Sequence, residues 1–388
     1  MTKLEQLIEE FCPNGVEYKT LGEIAVDVFR GAGIKRDEVT EEGIPCVRYG
    51  EIYTTYGEWF DECVSHTVLE NVPSPKYFEH GDILFAITGE SVEDIAKSCA
   101  YVGHEKCLAG GDIVVLKHTQ DPKYLAYALS TTEAQRQKSK GKVKSKVVHS
   151  SVPAIKGILI PVPPIEVQRE IVRILDNFTE LTAELTAELT ARKKQYEYYR
   201  NELLTPQNDI SVTTLGEIAT IKTGSKPSDI LESPTAYEYI NAGTSNSGYT
   251  NATNCDGDTV TTPSRGQGGI GFVGYQKDAF WLGPLCYRIK SKNSGIVINK
   301  YIYHYLSCHS EKLLAYKKEG GTPSVNASDL INITIEVPPL EVQERLVRVL
   351  DNFDAICTDL NIGLPAEIEA RHKQYEYYRD KLLTFKEI

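Results

Sequence analysis

The stretch "PIEVQREIVRILDNF" at residues 164–178 is repeated, with conservative changes, as "PLEVQERLVRVLDNF" at residues 339–353. Each copy begins with proline, which suits the first turn of a helix. Apolar residues then follow three and four positions apart, and this spacing predicts a single apolar stripe along a helix. The same amphipathic helix therefore starts twice, about half a chain apart.

Four further blocks occur once in each half of the chain, in the same order. They are "TLGEIA" (20–25 and 214–219), "AYVGH" with "GFVGY" (100–104 and 271–275), "KYLAYAL" with "KYIYHYL" (123–129 and 300–306), and "KQYEYYRNELLT" with "KQYEYYRDKLLT" (194–205 and 373–384). Such ordered recurrence indicates an internal duplication. The second copy matches the first in length only if residues 1–19 are counted with residues 214–388, which predicts a circular arrangement.

Two long helices are predicted. No Gly or Pro interrupts residues 165–204, and about 40 residues of helix span about 60 Å. The second helix should break at Gly363 and Pro365. Because each helix has an exposed apolar stripe, we expect an antiparallel, coiled-coil-like pair between them. The residues predicted to pack in this pair are Ile171, Leu175, Phe178, Leu185, Leu346, Leu350 and Phe353.

The two globular parts mix α and β structure. Glycine-bounded apolar runs predict strands at 81–88, 111–118, 268–275 and 285–291, and helical spacing predicts helices at 123–137 and 300–318. The predicted fold class is therefore mixed α/β (α+β), as a pseudo-two-fold internal repeat.

Composition narrows the class of protein. The chain has 388 residues, a net charge of −12 and no apolar run of transmembrane length. The N-terminal stretch is polar and does not resemble a signal peptide, so we expect a cytoplasmic protein without membrane contact. The nine cysteines form no CxxC pair and the histidines show no metal-ligand spacing, so no metal site is predicted.

Catalytic motifs were not found. A G-x-G-x-x-G pattern occurs at Gly269, Gly271 and Gly274, but the sequence around it continues as a strand instead of opening a helix. No P-loop and no nucleophile elbow is present. The sequence therefore predicts no catalytic residue.

Several loops carry residues suited to DNA. Lysine can hold phosphate, and arginine or glutamine can read base edges. Six positive charges at residues 136–146 would repel each other without a polyanion nearby. The alternative for each of these loops is a solvated surface. The candidates are Lys35, Arg36, Arg136, Lys138, Lys140, Lys142, Lys144, Lys146, Lys222, Ser225, Lys226, Ser264, Arg265, Gln267, Lys317 and Lys318.

The chain resembles the specificity subunit of bacterial and archaeal Type I restriction–modification systems. The resemblance rests on the two "EVQ…DNF" blocks, both "KQYEYYR" segments, both "TLGEIA" segments and the run "TELTAELTAEL" at 179–189. It covers essentially the whole chain. It implies two target-recognition domains, each reading one half of a split DNA site, joined by two long spacer helices.

The same resemblance implies a domain plan and a set of partners. The ranges are an N-terminal segment (1–19), target-recognition domain 1 (20–160), spacer helix 1 (161–205), target-recognition domain 2 (206–336) and spacer helix 2 (337–388). The partners would be double-stranded DNA, two methyltransferase subunits and restriction or motor subunits. S-adenosylmethionine, ATP and magnesium would bind only in those partner subunits, so no cofactor is expected in this chain.

Two other functions stay open on the sequence alone. One is a stand-alone DNA-modifying enzyme, and the other is a coiled-coil adaptor that does not contact DNA. Methyl transfer by the isolated chain would favour the first, and failure to shift specific DNA in the presence of a methyltransferase subunit would favour the second.

Overall fold

The computed structural model describes residues 2–139, 147–205, 210–234, 237–266, 268–318 and 320–388, together with the backbone of 142–144. The chain folds into two compact units. Unit 1 comprises Met1–Glu184 and Ile368–Ile388, and unit 2 comprises Leu185–Glu367. Both unit boundaries fall within helices, so the units group the residues differently from the predicted domain ranges, which stay predictions.

Unit 1 contains short helices and many short strands ahead of a long helix. Two 3₁₀ turns, Arg36–Glu38 and Leu69–Asn71, connect some of them. The helices are α1 (Lys3–Phe11), α2 (Leu21–Ile24), α3 (Tyr49–Thr54), α4 (Pro122–Ser130), α5 (Thr132–Lys138), α6 (Val152–Lys156) and α7 (Ile165–Leu203), which continues into unit 2. The strands are β1 (Tyr18–Thr20), β2 (Ala25–Arg30), β3 (Val39–Thr40), β4 (Ile44–Val47), β5 (Trp59–Phe60), β6 (Ser65–Thr67), β7 (Tyr77–Phe78), β8 (Ile83–Ala86), β9 (Thr88–Gly89), β10 (Ser98–Tyr101), β11 (Cys107–Ala109), β12 (Ile113–His118), β13 (Lys142–Lys144), β14 (Val147–His149) and β15 (Leu159–Pro161).

Unit 2 repeats this plan with fewer strands. The strands are β16 (Ser211–Thr214), β17 (Ala219–Thr223), β18 (Tyr237–Ile240), β19 (Tyr249–Thr250), β20 (Thr259–Pro263), β21 (Gly274–Gln276), β22 (Trp281–Leu282), β23 (Cys286–Ser291) and β24 (Thr334–Val337). The helices are α8 (Leu215–Ile218), α9 (Asn299–Cys308), α10 (Ser310–Leu314), α11 (Ala327–Leu330), α12 (Leu340–Thr358) and α13 (Leu364–Leu382), which continues into unit 1.

The duplication is visible in the strand pairing. In unit 1, β1 pairs antiparallel with β15, and a five-stranded sheet has the order β2-β12-β8-β10-β5. In unit 2, β16 pairs antiparallel with β24, and a four-stranded sheet has the order β17-β23-β20-β21. The first three strands of these larger sheets occupy equivalent places in the two copies. Unit 1 adds a second five-stranded sheet, β3-β6-β4-β11-β7.

The repeated "TLGEI" motif is a short capped helix in both units. The Glu23 carboxylate accepts a hydrogen bond from the Thr20 backbone N–H at 2.7 Å, and Glu217 accepts one from Thr214 at 3.2 Å. This reciprocal capping satisfies backbone donors at a helix start. The motif therefore recurs because each copy needs the same turn between its first two strands.

Most predicted elements are confirmed. The runs 81–88, 111–118 and 285–291 contain β8, β12 and β23. The predicted helix 123–137 is two helices, because Thr131 has extended backbone angles and caps α5, accepting from the Ala134 N–H at 3.3 Å. The predicted strand 268–275 is wrong over most of its length. Gly271, at a φ of +93°, turns the chain, and only its last residues join β21.

The long helix and the interrupted helix both occur as predicted. α7 has 39 residues, about 58 Å at 1.5 Å per residue. α12 ends at Thr358 and α13 starts at Leu364. A Cβ at Gly363 would lie 2.5 Å from the Ala355 carbonyl oxygen. Glycine at this position therefore permits the tight turn between the two helices.

The N- and C-terminal stretches come together in unit 1, which confirms the circular organisation. The Val16 N–H donates to the Lys386 carbonyl at 2.8 Å. The Tyr18 hydroxyl both accepts from the Phe385 N–H and lies within hydrogen-bond distance of its carbonyl, each at 3.2 Å. Lys3 of α1 also forms an ion pair with Glu170 of α7 at 2.8 Å.

Each unit has its own apolar core. In unit 1 the main core joins α1, α4, β8 and β12 to the start of α7, and it includes Leu383 after α13. In unit 2 it joins α9, β20 and β23 to α12, and it includes Leu204 after α7. Leu204 and Leu383 hold the same place in the repeated "KQYEYYR" block. Within the described residues, no helix combines the length and the apolar character needed to cross a membrane.

Candidate nucleic-acid interface

A buried glutamine holds the start of each spacer helix against its globular part. The side-chain NH₂ of Gln168 donates to the backbone carbonyl of Pro163 at 2.7 Å and to the side-chain carbonyl of Gln120 at 2.8 Å. The side-chain oxygen of Gln168 accepts a hydrogen bond from the Asp121 N–H. The Gln343 amide likewise donates to the Pro338 and Ile296 carbonyls. Both side chains are fully or almost fully buried. The repeated "EVQ" therefore fixes where each helix leaves its domain.

In unit 1 the first two candidate residues lie beyond the end of β2. Lys35 and Arg36 are exposed. The Lys35 ammonium pairs with Glu38 at 3.1 Å, and this contact raises the pKa of Lys35. Arg36 makes no hydrogen bond or ion pair with the described residues. Arg36 is thus free to meet a phosphate, while Lys35 is already partly neutralised.

The start of the basic run behaves differently from the prediction. Arg136 is exposed, but its guanidinium forms a two-bond pair with Glu133 at 2.7 and 2.9 Å. Lys138 is a correction: its side chain is buried and its ammonium donates to the Ser98 hydroxyl at 3.0 Å. Burial lowers the pKa of Lys138 to about 8, partly offset by Glu58. A cation enclosed in this way is not presented to a DNA backbone.

The remaining lysines of the basic run lie outside the described side chains. Lys140 and Lys146 are outside the described residues, and only the backbone of Lys142 and Lys144, in β13, is described. Gln267 in unit 2 is also outside the described residues. Their predicted DNA contacts stay predictions.

In unit 2, Ser225 and Lys226 follow β17, the strand equivalent to β2. The Ser225 N–H donates to the Leu282 carbonyl at 3.1 Å, which holds this loop beside the end of β22. Lys222, Ser225 and Lys226 are all exposed. Lys222 lies within β17, in register with Arg288 of β23. Candidate cations therefore follow the equivalent strand in both units.

Two loops that are distant in sequence meet at the same end of this sheet. The Ser264 N–H donates to the Leu285 carbonyl at 2.9 Å, and the Gly266 N–H donates to the Pro323 carbonyl at 3.1 Å. Lys318 and Ser324 exchange two backbone hydrogen bonds. The loop that contains Gly266 is thus hydrogen-bonded to the loop that contains Pro323. The sequence alone did not predict this contact.

Side-chain exposure separates the candidates in these loops. Arg265 is exposed and its guanidinium has no ion pair with the described residues. Lys318 is exposed and pairs with Asp329 at 3.0 Å, and Lys317 is half-buried with a partner of its own. Ser264 is a correction, since the residue is buried, with 9% of its surface exposed. We call Lys226, Arg265 and Lys318 the edge cations of unit 2.

A groove in unit 2 went unnoticed in the sequence. It has a volume of about 320 Å³ and is lined by Glu238, by residues 240–246, by parts of 261–276, and by Cys286 and Tyr303. Its polar groups include the amides of Asn241 and Gln276, and Phe272 lies at its side with 38% exposure. Amides can pair with base edges. No local pattern marks this groove because its walls come from separate stretches of the chain.

Some residues predicted for the helix pair lie in the core of a globular part, and others lie between two helical segments. Ile171 and Leu175 are fully buried in the core of unit 1, and Leu350 is fully buried in that of unit 2, with Leu346 packed against it. Phe178 stacks on Tyr378 of α13 in unit 1, with ring centroids 5.6 Å apart. Leu185 is half-buried.

An equivalent contact joins the two helical segments of unit 2. Phe353 stacks on Tyr196 and Tyr199 of α7 at 6.2 and 5.9 Å. Cys357, one turn further along α12, lies close to the charges of Lys193 and Arg192. Advancing along α12 thus means going back along α7, which is an antiparallel contact. A continuous coiled coil along both helices stays a prediction.

Comparison with known families decides the class of protein. The family model for the Type I restriction modification DNA specificity domain matches twice, over residues 13–192 and 207–370. The chain belongs to this family. The resemblance inferred from the repeated motifs is thereby confirmed, and the two matches correspond to the two copies of the internal repeat.

Other members of the specificity family are similar over much of the chain. The specificity subunit of the EcoR124I/EcoR124II Type I restriction enzyme of Escherichia coli is 35% identical over 259 residues, covering 59% of this chain and 63% of that protein. The match thus spans just under two thirds of that relative. A type I specificity subunit of Mycoplasma pneumoniae is 31% identical over 242 residues, covering 59% of this chain and 96% of that protein.

The fold is also shared with a solved specificity subunit. The crystal structure of a Type I restriction–modification S subunit from M. genitalium matches with a TM-score of 0.61 and 18% identity, covering 96% of this chain and 97% of that one. At this identity the likeness shows a common fold. The mixed α/β architecture with two repeated halves and long helices is therefore that of a specificity subunit.

Proposed function

We propose that this chain is the non-catalytic DNA-recognition subunit of a Type I restriction–modification enzyme. Each of its two target-recognition domains reads one half of a bipartite DNA site. The observation that carries this proposal is the double match of the DNA specificity family, once to each copy of the repeat. Two domains on one repeated frame, with different loops, suit two different half-sites.

The loops at the end of the larger sheets are the proposed reading surfaces. Arg36 and Lys35 follow β2 in unit 1. Of the edge cations of unit 2, Lys226 follows β17, Arg265 follows β20, and Lys318 lies in the loop after α10. Exposed lysine and arginine contact phosphates, and arginine also pairs with guanine in the major groove. Lys222, Ser225, Arg136 and Lys317 are secondary candidates. Lys140, Lys142, Lys144, Lys146 and Gln267, whose side chains lie outside the part of the chain that the structure describes, stay candidates from the sequence. The net charge of −12 implies that partner subunits supply part of the positive surface around the DNA.

The spacer helices have a mechanical role in this proposal. α7 is a rod of about 58 Å that is fastened to its domain at Gln168. The helices would set the distance between the half-sites and dock two methyltransferase subunits. Those subunits would bind S-adenosylmethionine and methylate adenine, and restriction or motor subunits would supply the ATP- and magnesium-dependent steps.

Mapping of adenine methylation tests the proposal. A host lacking other adenine methylation would carry this gene with its methyltransferase partner, and sequencing should reveal one split motif with two unlike halves. Exchanging residues 20–160 for the same region of a relative should change one half of the motif only. Methyl transfer by the purified chain alone, measured with labelled S-adenosylmethionine, would instead favour a stand-alone enzyme. A complex that methylates without any split motif would contradict the proposed function.

A further inference from the structure

In each unit an aspartate of the spacer helix pairs with a lysine of the globular part. The Lys123 ammonium of α4 lies 2.8 Å from the Asp176 carboxylate of α7. The Lys300 ammonium of α9 lies 3.5 Å from the Asp351 carboxylate of α12. Asp176 and Asp351 are the same position of the repeated "LDNF" block, and Lys123 and Lys300 begin the repeated "KY" block. The duplication has therefore kept one ion pair in both copies.

Each lysine also lies over an aromatic ring of its own domain. The Lys123 ammonium is 3.7 Å from the centre of the Trp59 ring, and the Lys300 ammonium is 4.0 Å from the centre of the Tyr275 ring. A ring face attracts a cation and stabilises it away from bulk water. The lysine is thus held between a domain strand on one side and the helix carboxylate on the other, in both units.

We call the contact of lysine, aspartate and aromatic ring in each unit a joint between domain and spacer helix. A third side chain also contacts the aspartate in each joint, and here the two copies differ. The Tyr127 hydroxyl donates to Asp176 at 2.6 Å, whereas His304 places Nε2 2.7 Å from Asp351. Tyr127 and His304 are the same position of the repeat, four residues after the lysine. Both are buried, with at most 1% of the side chain exposed. A phenol stays protonated at neutral pH, but an imidazole changes its charge near it.

The surroundings of His304 favour its neutral form. A carboxylate only accepts hydrogen bonds, so the ring donates from Nε2 and leaves Nδ1 as the bare nitrogen. Nδ1 is buried and has no hydrogen-bond partner among the described residues. A proton added there would become a buried N–H without an acceptor, which is costly. Burial accordingly lowers the pKa of His304.

The charged groups around His304 do not reverse this preference. On α12, Asp351 and Asp354 favour a positive ring, and on its own helix Lys300 opposes one. Tyr303 lies beside the ring at 4.9 Å, and Arg200 of α7 acts on Tyr303. On the strand side, the Tyr275 ring contacts Lys300. Loss of water from the buried ring outweighs the two carboxylates.

We propose that Asp176 and Asp351 are positioning residues that hold each target-recognition domain on its spacer helix, and that acid weakens the second joint and spares the first. The proposal rests on the proposed DNA-recognition function. A domain that rocks on its helix presents its reading loops at a variable distance from the other half-site. Loosening one joint should therefore allow a wider range of spacer lengths, or weaken recognition of one half of the motif, without changing which bases are read.

The first test uses the two aspartates as matched variants. Asp176→Asn and Asp351→Asn would be made in the full chain, assembled with the methyltransferase subunits, and examined by adenine-methylation mapping. We expect each to lower methylation at the wild-type spacer by roughly ten-fold, the size of a lost charged hydrogen bond, and to raise it at spacers one base pair longer or shorter. Glu344→Gln, at an exposed position of α12, should leave the motif as it is.

The second test is a pH profile, which a purely structural role of the aspartates would not produce. Affinity of the assembled complex for a duplex carrying the mapped motif would be measured from pH 7.5 to 5.5. For an accessible histidine with a pKa near 6.5, the protonated form exceeds the neutral form about ten-fold at pH 5.5. Because only the loosened joint exposes His304 to this protonation, acid should favour the loosened state by up to roughly ten-fold. Between pH 7.5 and 5.5 the affinity of the wild type should therefore fall up to roughly ten-fold more than that of His304→Gln. Gln keeps a neutral donor for Asp351. Tyr127→His should add a comparable acid sensitivity in unit 1.

The outcomes separate the inference from the function on which it rests. A wild-type complex that yields no split motif would remove the proposed function itself. A wild-type complex with a split motif, together with aspartate variants that keep its spacer and yield, would overturn the positioning role. Superposable pH profiles for wild type and His304→Gln would overturn the acid-sensitive joint. If His304→Gln fails to fold, the Tyr127→His profile decides the same question.

Discussion

Phe178 stacks on Tyr378, although the two residues lie in opposite halves of the sequence. Their counterparts in the repeat, Phe353 and Tyr199, stack in the same way within unit 2. Each unit thus contains the start of one spacer helix packed against the "KQYEYYR" segment that ends the other. This is the physical meaning of the circular repeat: neither half of the sequence supplies its own partner segment.

A double-mutant cycle measures this contact. Phe178→Leu and Tyr378→Leu should be coupled by about 0.5–1.5 kcal/mol in the free energy of unfolding, because stacked rings gain energy beyond the area they bury. Thermal or urea denaturation of the assembled protein provides the values. Phe178→Leu combined with Tyr377→Leu, at an exposed position, should be additive, and equal coupling in both cycles would refute the stacking account.

Loss of the buried glutamine should destabilise unit 2. Gln343→Ala leaves the Ile296 and Pro338 carbonyls and the Ile298 N–H without their present partner. Unpaired buried backbone groups are costly, so we expect a loss of about 3 kcal/mol in the free energy of unfolding. Urea denaturation followed by circular dichroism measures it. The neighbouring Glu344→Ala is exposed and should change stability by less than about 0.5 kcal/mol; a similar loss in both variants would contradict the role of Gln343.

The Glu170 ion pairs should make part of the stability of unit 1 dependent on pH. The Arg173 guanidinium, helped by Lys3, lowers the pKa of Glu170 from 4.5 to about 2. A carboxyl with a lowered folded-state pKa stabilises the fold fully above pH 4.5 and loses this effect as the pH falls toward 2. Glu170→Gln should therefore be less stable than wild type at pH 7, with the difference shrinking between pH 4.5 and 2. Glu166→Gln, an exposed change in the same turn, should show no such trend.

Two predicted cations should give opposite phenotypes. Arg265→Ala should weaken DNA binding by the assembled complex and reduce the slope of log affinity against log salt by about 0.9, with the melting temperature unchanged. Lys138→Gln should leave that slope unchanged and lower the melting temperature, because Lys138 is buried and bonded to Ser98. Salt titrations and thermal melts distinguish the two. A reduced salt slope in Lys138→Gln would show that the buried lysine reaches DNA after all.

The length of α7 should control the spacer of the DNA site. Deleting Thr182–Leu185 removes four helical residues, which shortens the helix by about 6 Å and rotates its end by about 40° relative to full turns. We expect methylation mapping of this variant to show a shorter spacer with the same half-sites. Replacing the same four residues by "AAEA" keeps the length and should keep the spacer. An unchanged spacer in the deletion variant would mean that the helix does not act as the ruler.

Sequence by itself determined the frame of this protein. The helices and their ends could be predicted because they depend on local patterns. The apolar stripe in each duplicated block and in the uninterrupted stretch 165–204 follows the helical period of 3.6 residues. The break at Gly363 depends on the backbone angles of that one residue. The same motifs were sufficient for the resemblance to specificity subunits. The circular order also followed from the sequence, since the second copy is complete only with residues 1–19.

Tertiary structure alone decided which side chains face outward and which meet. Lys138 and Ser264 read as surface residues, yet both are buried, because burial depends on what other segments cover a residue. Arg265 and Lys318 share an edge only through backbone hydrogen bonds between distant loops. The exchange of Tyr127 for His304 was visible in the aligned repeats, but its meaning required the aspartate across from each. Contacts between distant segments set these facts, and no single stretch of the sequence records them.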